Sequence, residues 1–276
     1  MFEHPAHFSL DREYSPSSAA PNYRDAVAAY ASKSAEVLDT LPGRRLSYGP
    51  SPDEYVIVFE PDMPGRRKML VFIHGGYWQE LSADESCFPA GELLERGIAY
   101  ASINYTLAPD ASIAHIAAQC GSALRTIAHE YPDTSFVLAG SSAGAHLAAM
   151  LATMDWAPAD IRRLSGYLLI SGIYDLCPIT HTYINAPLKL DLIQARAVSP
   201  AFLPVRHVAP SVVCWGEHET SEFKRQSAEH AERLAQHGVP VELFEVSNRN
   251  HFDILFDLSD PVTQLGKAVD NLFGEE

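Results

Sequence analysis

Short runs of apolar residues alternate along the chain with longer segments in which apolar positions recur at helical spacing. The apolar runs predict strands at residues 55–59, 68–73, 98–103, 136–139, 167–171, 211–215 and 239–246. The clearest amphipathic segments predict helices at residues 21–38, 83–96 and 113–130. Strands that alternate with helices pair in parallel, so the pattern predicts an α/β fold with a mostly parallel central sheet and helices on both faces.

No linker, repeat or low-complexity tract interrupts this alternation. The 276 residues therefore predict a single domain over 1–276, because α/β folds commonly exceed about 200 residues as one unit. Residues 1–40 are expected to form an N-terminal extension and helix. Residues 173–204 show no clear period, and we expect them to form a small cap or a substrate loop.

A Gly-Ser-Ser-Ala-Gly motif at 140–144 follows a predicted buried strand and precedes a predicted helix. This order is that of the nucleophile elbow of an α/β-hydrolase, in which a strained turn holds a serine hydroxyl clear of the sheet. The flanking glycines allow the tight backbone of such a turn. Ser142 is therefore the predicted nucleophile.

A second motif, His-Gly-Gly-Tyr-Trp at 74–78, directly follows the predicted strand at 68–73. Histidine and glycines at this point are typical of the loop that stabilises the oxyanion in lipases and esterases. The backbone N–H groups of Gly76, Tyr77 and Ala143 are expected to bind that oxygen. Loss of one such donor commonly costs about 3 kcal/mol of transition-state stabilisation.

Three aromatic residues are candidates for contact with the substrate. Tyr77 and Trp78 belong to the predicted oxyanion loop, where at least one of them is expected to line the acyl or leaving-group side. Tyr174 follows the predicted strand at 167–171 and is the third candidate, although a helix-capping role for Asp175 explains this segment equally well.

The other members of a serine-hydrolase triad should follow the nucleophile in the order acid, histidine. His251 lies in the loop after the last predicted strand and is the candidate base, able to take the serine proton and return it to the leaving group. The loop after the preceding strand carries Glu217 and Glu219, either of which can orient the histidine. We favour Glu219, keep Glu217 as the alternative, and place Asp253 third because it is too close to His251 in sequence.

Together these motifs resemble the arylformamidase (kynurenine formamidase) family of α/β-hydrolases. The resemblance rests on residues 74–78, 140–147, 219–227 and 251–253, with a further similarity at 10–17. It implies that Ser142 is the nucleophile, Glu219 the acid and His251 the base. The chain departs from the animal members, which carry Asp at the acid position, although Glu is chemically competent there.

The resemblance also implies a reaction. It indicates a serine hydrolase that cleaves an aryl formamide such as N-formyl-L-kynurenine to kynurenine and formate through an acyl-enzyme. A short-acyl carboxylesterase or another amidase on the same triad is the alternative. A binding or scaffold protein that had lost catalysis would lack a triad residue, and none is missing here. No cofactor is expected.

The balance of charge narrows the class of partner. There are 35 acidic residues and 20 basic ones, and the formal net charge is −15. This charge argues against nucleic acid and anionic membranes, both of which require clustered Lys and Arg. The expected partner is a small-molecule substrate, and an anionic substrate would need a local positive group. A homodimer is kept as an expectation for the assembly.

The remaining patterns concern localisation and metal binding. The first 18 residues lack an apolar core followed by a cleavage site, and no run approaches about 18 apolar residues. We therefore expect a cytoplasmic protein with no membrane span. The pairs His4/His7 and His230/His237 lack a nearby carboxylate as third ligand, so no metal site is expected.

Overall fold

Eight strands form one sheet in the computed structural model, which describes residues 10–62 and 67–274. The strands are β1 Arg44–Ser47, β2 Tyr55–Phe59, β3 Lys68–Ile73, β4 Ile98–Ile103, β5 Ser135–Ser141, β6 Leu164–Ile170, β7 Ser211–His218 and β8 Val241–Asn250. Their order across the sheet is β1-β2-β4-β3-β5-β6-β7-β8. The pairings β1·β2 and β2·β4 are antiparallel, and the other neighbouring pairs of this sheet are parallel.

Helices connect the parallel strands. Besides helical residues at 10–13, the α-helices of the described ranges are α1 Tyr23–Thr40, α2 Ala90–Glu95, α3 Ile113–Glu130, α4 Ala143–Leu151, α5 Pro158–Ile161, α6 Asn185–Leu188, α7 Leu192–Ala197, α8 Ser221–Gln236 and α9 Gln264–Phe273. Short 3₁₀ helices lie at Pro16–Ser18, Asp84–Ser86, Pro178–His181, Pro200–Phe202 and Asp253–Asp257.

Hydrophobic cores lie on both faces of the sheet. On β3, Leu70 and Phe72 belong to one core. Met69, Val71 and Ile73 belong to the other, because successive side chains of a strand point to opposite faces. Helices α1, α2 and α9 pack against the first core, and α3, α4 and α8 pack against the second. This two-sided burial explains the continuous apolar runs, and the predicted α/β fold is confirmed.

The predicted helix at 83–96 is shorter in the structure. A 3₁₀ helix occupies Asp84–Ser86, and α2 begins only at Ala90. Pro89 explains the break, since proline has no N–H to donate and disfavours helical geometry at the residue before it. The sequence pattern does not predict β1, because this edge strand is largely exposed and contains few apolar positions.

The last strand is longer than its apolar run predicts. The pattern predicts a loop over 248–253, whereas β8 continues to Asn250. The polar end of β8 pairs with the end of β7 across a bulge, which sets His218 opposite Asn250. The loops that follow β7 and β8 therefore begin side by side.

Three further expectations concern the N-terminal histidines, residues 173–204 and the absence of a membrane span. His4 and His7 lie outside the described residues. Residues 173–204 fold into α6, α7 and the 3₁₀ helices at Pro178–His181 and Pro200–Phe202. No helix within residues 10–62 and 67–274 is long and apolar enough to cross a membrane.

Three of the four buried histidines in the described part of the fold lie outside the proposed triad and stay neutral at physiological pH. Burial lowers the pKa of His74 to about 4, that of His146 to about 4 and that of His230 to about 3. Each ring packs against an aromatic neighbour: His74 stacks on Tyr105 at 4.1 Å between centroids, and His230 stacks on Tyr174 at 3.8 Å. A proton on any of these rings would place a charge in a site with little solvent.

Acidification from pH 7 to pH 5 is expected to lower the free energy of unfolding steeply. In the unfolded chain these histidines take up a proton near pH 6.5, whereas in the folded chain they stay neutral down to about pH 4. Stability is therefore fully present above about pH 6.5 and is lost as the pH falls below it. Each group contributes up to about 1.4 kcal/mol per pH unit, or about 4 kcal/mol per unit for all three.

Urea unfolding at pH 7, 6 and 5 measures this slope. His230→Phe keeps an aromatic ring on Tyr174 but cannot titrate, so it should remove about a third of the slope. His115→Gln, at an exposed position of α3, serves as the control and should leave the slope unchanged. Equal slopes for wild type and His230→Phe would contradict the assignment.

Candidate active site

Ser142 occupies the tight turn between β5 and α4. Its backbone has φ 56° and ψ −119°, a region that non-glycine residues rarely adopt, and its N–H donates to the carbonyl of Ile170 at 2.8 Å. The motif glycines permit close approach of the neighbouring backbone. A Cβ on Gly144 would lie 1.9 Å from the carbonyl oxygen of Ile73, and one on Gly140 would lie 2.3 Å from that of Gly144. The sequence motif therefore folds into the predicted elbow because β3 and α4 leave no room for side chains there.

His251 directly follows β8 and is hydrogen-bonded to the carboxylate of Glu219. Its Nδ1 lies 2.8 Å from Glu219 Oε2. The side chain of Glu219 is fully buried and that of His251 is 6% exposed. Phe223 packs edge-on against the imidazole at 4.5 Å between centroids. With Nδ1 engaged by the carboxylate, Nε2 is the ring nitrogen left for proton transfer.

The second oxygen of Glu219 is also held. Oε1 accepts hydrogen bonds from the hydroxyl of Ser171 at 2.5 Å and from the N–H of Gly216 at 2.7 Å. A buried carboxylate needs such donors, because an unpaired one would be strongly destabilising. Ser171 was not singled out from the sequence; its position immediately after β6 was the available signal.

The two alternative acids lie elsewhere. Glu217 is exposed, and its carboxylate accepts from the N–H of Asn248 at 2.8 Å. The carboxylate of Asp253 accepts from the N–H and the side-chain amide of Asn250, both at 2.7 Å. The structure thus brings Glu219 to His251 and engages both alternatives with asparagines.

The loop after β3 passes beside Ser142. Gly75, Gly76 and Tyr77 line the same cavity as Ser142 and His251. The hydroxyl of Tyr105 donates to the carbonyls of His74 and Gly75, at 2.9 and 3.2 Å, and fixes the start of the loop.

The predicted oxyanion donors are the backbone N–H groups of Gly76, Tyr77 and Ala143. Gly76 and Tyr77 belong to the loop after β3, and Ala143 is the first residue of α4. Within residues 10–62 and 67–274 none of the three N–H groups has a hydrogen-bond acceptor. They are therefore free to donate to a bound oxygen.

The cavity has a volume of about 590 Å³. The loop after β3 and the elbow form one part of its wall, and other parts come from residues 16–17, 183–184, 251, 252 and 255. The first turns of α1 complete it with Tyr23, Arg24, Val27, Ala28 and Ala31. The helical pattern of α1 was predicted from the sequence, but nothing in that pattern showed that the helix covers the site.

Of the three predicted substrate contacts, the structure places only Tyr77 in the cavity wall. Trp78 is fully buried, with its ring edge-on to His146 at 5.0 Å between centroids. Tyr174 is 1% exposed and stacks on His230. Both side chains point into the core behind the site, so the expected contacts of Trp78 and Tyr174 with substrate are corrected.

Asp175 does not cap the 3₁₀ helix at Pro178–His181, because the N-cap of that helix is Cys177 and no side chain caps it. Asp175 Oδ1 accepts from the N–H of Cys177 at 2.8 Å and stabilises the turn that leads into the 3₁₀ helix at Pro178–His181. His230 and His237, which were weighed as a pair of metal ligands, have different surroundings in the structure. His230 is buried, and His237 Nδ1 contacts the carbonyl of Arg233 at the end of α8.

The segment before α1 forms hydrogen bonds with two parts of the site: Tyr77 in the loop after β3, and Thr220 next to Glu219. The hydroxyl of Tyr77 donates to the carbonyl of Tyr14, and the hydroxyl of Thr220 donates to the carbonyl of Glu13. The hydroxyl of Tyr14 itself donates to Glu222 at 2.7 Å. Burial and this carboxylate raise the pKa of Tyr14 well above its usual value, so the phenol remains a donor.

Comparisons with known proteins agree with this architecture. The family model of the α/β-hydrolase fold matches residues 70–254. Kynurenine formamidase of Danio rerio is 33% identical to this chain over 287 residues, covering 96% of each protein. Kynurenine formamidase of Salmo salar is 32% identical over 286 residues, again covering 96% of each.

Two solved structures show the same fold. A crystal structure of a thioesterase candidate from Silicibacter sp. TM1040 has a TM-score of 0.87 at 28% identity, covering 95% of this chain and 98% of that one. An esterase from Pyrobaculum calidifontis has a TM-score of 0.67 at 17% identity, covering 99% and 97%. The similarity inferred from the motifs is confirmed: the chain belongs to the kynurenine formamidase family of α/β-hydrolases and is a hydrolase of amide or ester bonds.

Proposed function

We propose that Ser142, Glu219 and His251 hydrolyse an aryl formamide such as N-formyl-L-kynurenine to kynurenine and formate. The observation that carries this proposal is the buried hydrogen bond of 2.8 Å between His251 and Glu219, beside a cavity that Ser142 also lines. The relatives named kynurenine formamidase support the choice of substrate.

The reaction begins with attack on the formyl carbon. As Ser142 Oγ bonds to that carbon, His251 Nε2 takes the hydroxyl proton, and the carbonyl electron pair moves to oxygen. The N–H groups of Gly76, Tyr77 and Ala143 are the donors to the resulting oxyanion. Glu219 accepts the other imidazole N–H, holds the ring in the required tautomer and stabilises the imidazolium.

The second half releases both products. The C–N bond breaks as the imidazolium of His251 gives its proton to the aniline nitrogen, leaving a formyl ester on Ser142. Water then attacks this ester with His251 as base, and formate leaves as the serine recovers its proton. An aniline leaves more readily than an alkyl amine, so proton donation by the imidazolium of His251 is sufficient assistance.

The shape of the cavity supports a small acyl group and a large aromatic leaving group. A Cβ placed on Gly75 would lie 3.2 Å from Ser142 Cβ, so the loop after β3 passes close to the nucleophile, and we place the small acyl group against Gly75. The cavity wall also includes Tyr23, Tyr183 and Phe252, which can pack against an aromatic ring.

Hydrolysis of a short-acyl ester is the second candidate. The fold is shared with an esterase and with a thioesterase candidate. The same nucleophile, oxyanion donors and acyl-enzyme serve ester and amide substrates, so the leaving group separates the two candidates.

Measurement of kcat/KM for N-formyl-L-kynurenine, its N-acetyl analogue and p-nitrophenyl acetate tests the proposal. The formamide is expected to be the best of the three substrates. The N-acetyl analogue should be about 10- to 200-fold poorer, because a methyl group in a tight pocket is worth about that factor. Ser142→Ala gives the background rate for each substrate.

Two results would contradict parts of the proposal. If only p-nitrophenyl acetate is hydrolysed, the triad is retained and the formamide substrate is wrong. If the acetyl and formyl amides are hydrolysed equally well, the proposed restriction of the acyl space by Gly75 is wrong.

A further inference from the structure

Arg24 is a cation in the wall of the proposed active site. It lies in the first turn of α1, and the cavity lining includes two carboxylates, Glu80 and Glu85, but no other Lys or Arg among the described residues. The whole chain carries a net charge of −15. A carboxylate on a bound substrate would therefore be attracted by this guanidinium and repelled by Glu80 and Glu85.

The guanidinium of Arg24 is held but not paired. Its Nε donates to the hydroxyl of Tyr23 at 3.0 Å, and its Cζ lies 5.6 Å from the centre of that ring. Within residues 10–62 and 67–274 no carboxylate forms an ion pair with it, in contrast to Arg225 with Glu222 and Arg249 with Asp257. Its two terminal nitrogens are therefore available for a bidentate contact, the geometry in which Arg recognises carboxylates.

We propose that Arg24 binds the α-carboxylate of the substrate and so selects amino-acid aryl formamides over neutral ones. This inference rests on the proposed formamidase function, and it names the substrate class that the same cavity takes. Arg24 is a specificity residue: it contacts the end of the substrate remote from the bond that breaks, so it contributes to binding rather than to the chemical step.

The test compares three substrates on wild type, Arg24→Gln, Arg24→Lys and Arg24→Glu. The substrates are N-formyl-L-kynurenine, its decarboxylated amine and neutral 2-formamidoacetophenone. For N-formyl-L-kynurenine, Arg24→Gln should raise KM about 10- to 100-fold, with kcat changed less than about threefold. Arg24→Lys should fall between wild type and Arg24→Gln because it keeps the charge but not the planar fork. Arg24→Glu should be the poorest.

The other two substrates provide the internal control. KM for the neutral ketone should be unchanged in Arg24→Gln, and Arg24→Glu should lower KM for the decarboxylated amine. Added salt should raise the wild-type KM for N-formyl-L-kynurenine alone, because Arg24 is exposed and its field is screened. Lys33→Gln, which removes the same charge from an exposed position of α1 outside the cavity, should change no KM.

Two results would overturn the assignment of Arg24: an unchanged KM for N-formyl-L-kynurenine in Arg24→Gln, or an equal change for the neutral ketone. Failure of the formamidase proposal is recognised separately, because wild type would then hydrolyse none of the three formamides. In that event the same variants are compared on an aryl acetate that carries a carboxylate and on p-nitrophenyl acetate. A KM increase confined to the charged ester would still support carboxylate binding by Arg24, and equal values would reject it.

Discussion

Replacing Ser142 with alanine is expected to lower kcat/KM by about 10⁴- to 10⁶-fold, whichever acyl substrate is used. No other hydroxyl occupies the turn between β5 and α4 with the same backbone conformation. What remains should be the background supplied by the oxyanion donors and by substrate binding. The steady-state rate and the burst of acyl-enzyme should disappear together.

Two further variants make this test specific. Ser142→Gly removes the nucleophile but tolerates φ 56° more readily than alanine, so it should be equally inactive and at least as stable. Ser141→Ala removes the adjacent hydroxyl, which also lines the cavity, and should retain activity within about tenfold. Loss of activity in Ser141→Ala with retention in Ser142→Ala would show that the nucleophile has been misassigned.

Glu219→Gln is expected to lower kcat by about 10³- to 10⁴-fold while the fold is retained. The carboxylate accepts from His251, Ser171 and Gly216 at once, whereas an amide can offer its oxygen to only part of this set. The NH₂ group of the introduced amide would either face another hydrogen-bond donor or donate to Nδ1 of the imidazole. In the second case the imidazole proton would move to Nε2, which is the wrong tautomer for accepting the serine proton. The effect should appear in kcat more than in KM, because the imidazolium forms only during the reaction.

Glu217→Gln is the matched control, two residues away in the same loop. Its side chain is exposed and accepts only from the Asn248 N–H among the described residues, so kcat should change less than about threefold. A larger loss in Glu217→Gln than in Glu219→Gln would reject the proposed acid. Thermal unfolding of both variants shows whether either loss reflects stability instead of orientation of the histidine.

Much of the fold was predictable because its signals are local. The bounds of β3, β4 and α3 agree with the apolar patterns at 68–73, 98–103 and 113–130. The failures also have local causes. Pro89 interrupts one predicted helix, and the exposed β1 carries no apolar alternation by which a strand could be detected.

Some candidate site residues were also predictable from local signals, and others were not. Ser142 was predicted because the elbow needs glycines at fixed spacing from the serine. Trp78 was assigned to the substrate side because it belongs to the predicted oxyanion loop, and Tyr174 because it follows a predicted strand. Their side chains instead pack on His146 and His230 in the core. Which face an aromatic side chain takes depends on partners that are distant in sequence.

The sequence by itself determined the α/β fold, the elbow at Ser142, the loop at 74–78 and the position of His251 behind the last strand. Each depends on a short motif or on an apolar period. The sequence favoured Glu219 over Glu217 as the acid, but only the tertiary structure shows that the Glu219 carboxylate lies 2.8 Å from His251. Only the tertiary structure brought α1 and Arg24 into the cavity wall. Such contacts join segments 32 or more residues apart and arise from packing, which no local pattern encodes.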